Sequence, residues 1–277
     1  MVAIDSLDRL RLGDHACVLF DDDAEKTRAL FTFVRAGLRD SHRILYFGAD
    51  EPRIAAAFPG AIAAGRLRMA TPEQSYLASG VFDPQATIAG WRTEAQQARA
   101  DGFRGLRAAG DMSWAARPVP GADRLQWYEA QVNRVFADGF AMAVCLYDRR
   151  LFTGTDLDRI CRSHPATIDH DSHPATAPLL RAVRTGDPPG LALHGEADLS
   201  NRQALSALLE NLADDTPGHS GPLTVDMSGL RFADAAAIRL LTRTAARTPR
   251  LRLVGASPAI RRLLTLTTTD QTPEPTA

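Results

Sequence analysis

Three short strings in this 277-residue chain hold residue types that chemistry needs. Phe20-Asp21-Asp22-Asp23-Ala24-Glu25-Lys26-Thr27 ends in a Lys-Thr pair. After a strand, such a pair can serve a nucleoside triphosphate if a glycine-rich loop precedes it, because backbone N–H groups then surround the phosphates. Here the glycines are absent, and four carboxylates (Asp21, Asp22, Asp23 and Glu25) stand nearby. Each like-charge pair a few ångströms apart costs on the order of 1 kcal/mol even in water. The run therefore reads as the solvated start of a helix, and triphosphate hydrolysis is not expected. The second string, Asp111-Met112-Ser113-Trp114, puts a carboxylate and a hydroxyl beside a ring that can stack on a ligand. The third, Cys161-Arg162-Ser163-His164, has ligand-like spacing, and Cys17 and Cys145 lie in separate apolar runs. Without a paired Cys-x-x-Cys it signals no tetrahedral site, so neither a metal nor a cofactor is expected. No Gly-x-Ser-x-Gly elbow offers a nucleophile.

The elements that must position these groups alternate along the chain. Apolar runs at 15–20, 43–47, 66–70, 105–110 and 141–147 read as strands. Periodic stretches at 24–38, 51–58, 84–101, 123–137 and 156–161 read as helices, the first with Leu30, Phe31, Val34 and Leu38 on one face. Strands alternating with helices predict a mainly parallel sheet covered on both faces. Ligands of such sheets sit at the carboxyl ends of the strands. His15, Asp21, Arg107, Asp111, Trp114, Glu129, Tyr147 and Asp148 are accordingly the candidates to line a ligand cleft.

Beyond His164 the composition shifts to Pro, Thr, His and Asp, which is linker chemistry. A second unit opens with a hairpin signal, strands at 179–185 and 191–195 around Gly186-Asp187-Pro188-Pro189-Gly190. A helix to Leu212, a strand at 223–227, a helix at 235–247, a strand at 251–254 and a helix at 258–264 follow. The expected organisation is a domain at 1–168, a linker at 169–177, a second domain at 178–266 and a disordered tail at 267–277.

Composition excludes several classes. A net charge of −1 and 45% hydrophobic residues describe an ordinary globular chain, with no basic excess for nucleic acid. No apolar run reaches the length of about 18–20 residues that a membrane span needs. The first residues lack the apolar core of a signal peptide. Three cysteines, an odd number, read as reduced thiols of a cytoplasmic protein.

Two resemblances add to this reading. Val225-Asp226-Met227-Ser228-Gly229-Leu230-Arg231-Phe232-Ala233-Asp234, followed by Ala235-Ala236-Ala237-Ile238, resembles the signature of STAS domains, the fold of anti-sigma factor antagonists. Gly195-Glu196-Ala197-Asp198 and Leu253-Val254-Gly255-Ala256-Ser257-Pro258 extend the likeness over 178–266, as a domain shortened at its C-terminus. Residues 12–168 resemble the MEDS sensory domain, related in shape to RecA-like ATPases. That likeness rests on Gly13-Asp14-His15, Leu45-Tyr46-Phe47, Gly105-Leu106-Arg107, Gly110-Asp111-Met112-Ser113-Trp114, Cys145-Leu146-Tyr147-Asp148 and His164-Pro165. The implied fold is α/β: a RecA-like parallel-sheet sensory domain lacking a phosphate-binding loop, joined to a smaller STAS domain.

The STAS resemblance implies a partner, an ATPase-fold anti-sigma factor of the serine-kinase type. Ser228, Arg231, Asp234, Ala235, Ala236 and Arg239 are the expected contact residues. Family members that switch partners carry a phosphorylated Ser or Thr at the position occupied here by Ala236, which has no hydroxyl. A phosphate's added charge of about −2 is what expels the partner there, so docking in this chain must be controlled otherwise. The expectation is a non-enzymatic, cytoplasmic signalling protein that regulates transcription, with a small-molecule signal and a homodimer left open. The alternative is a small-molecule or nucleotide sensor whose STAS domain dimerises or scaffolds it.

Overall fold

The computed structural model of the chain describes residues 4–49, 51–169, 180–216 and 219–269. The first unit begins α1 Ile4–Asp8, β1 His15–Phe20, α2 Asp23–Arg39, β2 Arg43–Phe47, α3 Pro52–Ala57, α4 Pro59–Ala63 and β3 Leu67–Ala70. It continues with α5 Pro84–Ala100, β4 Leu106–Asp111, α6 Leu125–Gln131, α7 Asn133–Phe136, β5 Ala141–Asp148, α8 Gly154–Cys161 and β6 Ala166–Ile168. Its six strands form one parallel sheet in the order β3-β2-β4-β5-β1-β6.

Side chains alternate across this sheet, so each strand feeds two cores. Ala16, Val18 and Phe20 join Val144 and Leu146 under α1 and α2. Cys17 and Leu19 join Cys145 and Tyr147 on the opposite face, under α5 to α8. Burying each large apolar side chain contributes about 1.5–3 kcal/mol. The acidic string starts α2 as expected: the Asp22 side chain accepts from the Glu25 N–H at 2.8 Å, and a carboxylate suits that end of the helix dipole. The buried stripe of α2 is Leu30, Phe33, Val34 and Gly37, whereas Phe31 turns outward onto Phe58.

The second unit comprises β7 Leu180–Gly186, β8 Pro189–Ala197, α9 Arg202–Glu210, β9 Leu223–Ala233, α10 Ala235–Arg247, β10 Leu251–Val254 and α11 Pro258–Thr269. Its sheet runs β10-β9-β8-β7, with β7 antiparallel to β8 and the other pairs parallel. Leu191, Leu193, Leu205, Leu208, Val225, Met227, Ile238 and Leu241 form its core.

Four expectations need correction. β6 falls where linker composition begins; it is held because β1 offers it a free parallel edge. The helix expected over 123–137 is broken at Val132 into α6 and α7. β9 runs six residues past Met227, so Ser228 and Arg231 lie in a strand and not in a loop. That extension is possible because Gly229 leaves room for His194, whose Nδ1 lies 2.1 Å from where a Cβ would stand. Finally, α11 continues to Thr269, so residues 267–269 are helical. The expected linker from 170 and the tail from 270 lie outside the described residues.

Candidate functional site

Strand alternation and the β1–β5 register place His15, Cys17, Cys145 and Tyr147 on one face of the sheet, with Cys17 opposite Cys145. Glu129 and Asn133, four residues apart across α6 and α7, reach down onto this patch, and His164 closes it from beyond α8. All of these side chains are buried, and Cys161, at the margin, is half-buried. His15 Nε2 lies 3.3 Å from Cys145 Sγ and 3.5 Å from Glu129 Oε2. His164 Nε2 lies 3.3 Å from the same Glu129 oxygen, and Cys145 Sγ 3.5 Å from it. The Tyr147 hydroxyl donates to the other Glu129 oxygen. Donor atoms of His15, Glu129, Cys145 and His164 all fall within 4.8 Å of one another.

The outer nitrogens of both imidazoles are spoken for. His164 Nδ1 is 2.9 Å from the Ile160 carbonyl, so it carries the proton. The Asn133 amide nitrogen faces three carbonyls, those of Glu129, Ala130 and Ser163, at 2.8–2.9 Å. Its Oδ1 must therefore face His15 Nδ1, 3.0 Å away, and that nitrogen also donates. Both Nε2 atoms are left directed at the cluster. Burial and the neighbouring His164 hold the His15 pKa down to about 3. Burial disfavours a charged His164 as well, but the Glu129 carboxylate more than offsets this and raises its pKa. Burial drives the Cys145 thiol and Tyr147 hydroxyl well above their ordinary values. Beside the cluster, Cys17 and Cys161 sulfurs stand 3.8 Å apart, and Cys161 is lowered to about 7, chiefly by its contact with Cys17.

The eight expected cleft residues do not share one cleft. His15, Glu129 and Tyr147 belong to the buried cluster just described. Asp111 and Trp114 line a shallow cleft of about 270 Å³ with Ala49, Thr71, Ser113 and Arg117. That cleft lies where the chain leaves β2 and β4 in opposite directions, the usual crevice of an open parallel sheet. Asp148 is occupied by Arg150, and Asp21 sits 3.9 Å from Arg149. Arg107 is a correction: it stands second in β4, at the amino end of the sheet, where it bonds Asp40 and His42. A roomier cavity, about 630 Å³, is lined by Phe47, Arg68, Tyr76, Trp91 and Glu94 and by none of the eight. Cys145, His164 and Asn133 were absent from that set. The Cys-x-x-His spacing was visible, but His164 joins His15 and Glu129, while Cys161 turns to Cys17.

Lys26 spans Glu51 at 2.7 Å and Asp111 at 3.2 Å, all three largely buried. Lys26→Met strands two carboxylates there and should cost about 2–3 kcal/mol. Thermal unfolding should show the midpoint lower by ~5 °C or more; an unchanged midpoint would mean that the bridge contributes nothing.

The second unit is bolted to the first beside the cluster. Asp14 accepts two bonds from Arg181, each 2.6 Å, and Leu180 N–H donates to the Pro165 carbonyl at 3.0 Å. The Arg162 carbonyl accepts from the Gln203 N–H at 3.1 Å at the start of α9. Arg134 forks onto Asp215 at 2.6 and 2.8 Å. Asn133 bonds the Ser163 carbonyl, and the Ser163 hydroxyl donates to Gln203 Oε1 at 2.7 Å. A hydrogen-bonded path thus runs from His15 through Asn133 and Ser163 to α9. α9 packs on α6 and α7 on one side and on α10 on the other. At the far side of α10, Ser228, Arg231, Ala235 and Arg239 are exposed, while Asp234 and Ala236 are half-buried. Asp234 caps α10, accepting from the Ala237 N–H at 2.7 Å.

Fold and site define a class: a parallel α/β domain enclosing a buried polar cluster, docked to a small mixed-sheet domain with a free helix start. The chain belongs to the MEDS family, described as the MEthanogen/methylotroph, DcmR Sensory domain, which matches residues 14–165. Residues 180–273 match the STAS domain of the Mlab description. No curated protein matches the chain. Among solved structures, the flagellar accessory protein FlaH of Methanocaldococcus jannaschii is 13% identical, covering 60% of this chain and 75% of that one at a TM-score of 0.40. A KaiC-like protein of Pyrococcus horikoshii OT3 is 11% identical, covering 66% and 79% at a TM-score of 0.41. No helix among the described residues is long and apolar enough to cross a membrane. The STAS domain fits an anti-sigma factor antagonist-like signalling role.

Proposed function

We propose that this chain is a sensor-coupled antagonist-like regulator of transcription, acting by protein–protein interaction on an ATPase-fold anti-sigma factor of the serine-kinase type. The observation that carries the reading is the path from His15 to Gln203, because it joins the sensory cluster to the helix that supports α10. A change of geometry at His15 or His164 moves the Asn133 amide or the 162–165 segment; α9 is bonded to that segment, and Asn133 reaches α9 through Ser163. The partner face is already open to solvent, so the sensor acts by shifting α9 beneath α10 and not by covering Ala236.

No enzymatic step is assigned. Lys26 is neutralised by Glu51 and Asp111, which supports a structural part for the Lys-Thr pair. Without a hydroxyl at Ala236 there is no phosphoester to form, and the signal replaces phosphorylation.

The test is a binding measurement with full-length protein and the ATPase-fold anti-sigma factors of its host. One of them should bind, and Ala236→Glu should weaken it at least tenfold, about 1.4 kcal/mol, by placing charge where a phosphate would act. Binding unaffected by Ala236→Glu, or absent throughout, would sink the antagonist reading in favour of a scaffolding STAS domain.

A further inference from the structure

We propose that His15, Glu129, Cys145 and His164 form a closed, four-ligand site for one divalent ion of the zinc class. This inference stands whether or not the partner is an anti-sigma factor. It rests first on distances. A tetrahedral ion with N and O ligands at about 2.0–2.1 Å and sulfur at about 2.3 Å separates its ligand atoms by about 3.3–3.6 Å. Four of the pairs here lie at 3.3, 3.5, 3.3 and 3.5 Å, and no pair exceeds 4.8 Å.

The second support is the outer shell. Zinc-binding imidazoles donate their remote N–H to a carbonyl or carboxylate, which fixes the tautomer and aims the lone pair. Both rings do so here, onto the Asn133 amide oxygen and the Ile160 carbonyl. Tyr147 likewise holds the Glu129 oxygen that does not face the cluster.

The third is a poorly met need. His164 Nε2 is fully buried and points into the cluster, where Glu129 Oε2 stands 3.3 Å away, within ion-pair range but not aligned for a hydrogen bond. A buried polar atom without an aligned partner is destabilising, and a metal bond would satisfy it. Charge balances too. Binding releases to solvent the Cys145 thiol proton and the proton His164 Nε2 carries when paired with Glu129; thiolate, carboxylate and divalent ion then sum to zero in a site buried from solvent. Thiolate with two imidazoles favours zinc over magnesium or calcium, which prefer oxygen alone. With four protein ligands and no exposed face, the site is of the structural or sensing kind and not a catalytic one.

Cobalt(II) reports on such a site, because tetrahedral coordination gives intense visible bands and thiolate ligation a near-ultraviolet charge-transfer band. Full-length protein is unfolded with chelator and reductant, then refolded with one equivalent of cobalt(II), its fold being checked by circular dichroism. The expected result is one ion per chain with both signatures, displaced by zinc. Cys145→Ser should remove the charge-transfer band, whereas Cys17→Ala and Cys161→Ala should keep it. His15→Ala should weaken binding at least tenfold. If His15→Ala does not fold, Cys145→Ser against the two other cysteine variants decides. Folded wild-type protein with an octahedral spectrum, or a charge-transfer band that survives Cys145→Ser, would overturn the proposal.

Discussion

Asp14→Ala should split the unfolding of this protein into two transitions. The Asp14 carboxylate is fully buried and receives both forks of Arg181 together with the Arg11 N–H. Bidentate guanidinium–carboxylate pairs are among the stronger polar contacts. Removing one partner of a buried pair leaves the other without compensation, at about 3–5 kcal/mol. Arg181 is one-fifth exposed, so the lower part of that range applies. The loss falls on the joint between the domains, because Asp14 lies outside the sheet of the sensory domain and Arg181 stands on β7. Calorimetry should therefore show the STAS domain melting first, and proteolysis should cut sooner near residue 180. In a double-mutant cycle, Arg181→Ala should add little once Asp14 is gone. A single transition at the wild-type midpoint would place the docking energy elsewhere, with Arg134 and Asp215 as the first alternative.

Gly190→Ala should unfold the STAS domain and leave the sensory domain standing. A Cβ at Gly190 would lie 1.9 Å from the Thr224 carbonyl oxygen, inside the β8–β9 pairing. No rotamer relieves a clash with backbone, so the strands must part or shift register. Overpacking alone costs about 1–3 kcal/mol, and loss of central pairing adds to it. Hydrogen exchange should accelerate across residues 223–233 while β1 and β5 stay protected. Gly186→Ala, at the hairpin end with open space around it, serves as the control and should change stability by less than ~1 kcal/mol. Equal stability of the two variants would show that β8 can move aside.

Much of this fold was legible, for definite reasons. The strands β1, β2 and β5 are short apolar runs bounded by polar residues, and burial on both faces of a parallel sheet writes that pattern directly. The second unit was equally plain, because its hairpin turn and helix starts use residues with few alternatives. β6 was not legible, since three residues in a Pro- and His-rich stretch become a strand only when β1 presents an edge. Nor was the length of β9, where Ser228-Gly229 reads as a turn until His194 is known to fill the space that Gly229 leaves.

The site was legible in pieces. Glu129 and Asn133 at helical spacing, the alternating His15 and Cys17, and Cys161-x-x-His164 are all visible locally. Their meeting depends on β1 and β5 lying side by side, a contact across about 130 residues that no local pattern encodes. Arg107 was legible as lying outside the ligand end: it falls near the start of its strand, and parallel sheets present ligands at the other end.

The two kinds of joint between the domains differ in how they respond to the medium. Asn133, Ser163 and Gln203 carry no ionisable group, so their bonds survive changes of acidity and ionic strength that leave the chain folded. The arginine–carboxylate forks are largely buried, so salt screens them little, but they depend on charge. Burial pushes the Asp215 pKa up, yet Arg134 more than offsets this and holds it below the usual carboxylate range, so acid that protonates Asp215 removes that fork's contribution. Acid should then loosen the grip of one domain on the other while the steric message between them is still delivered. Strength of attachment and fidelity of signal are separable properties of this molecule.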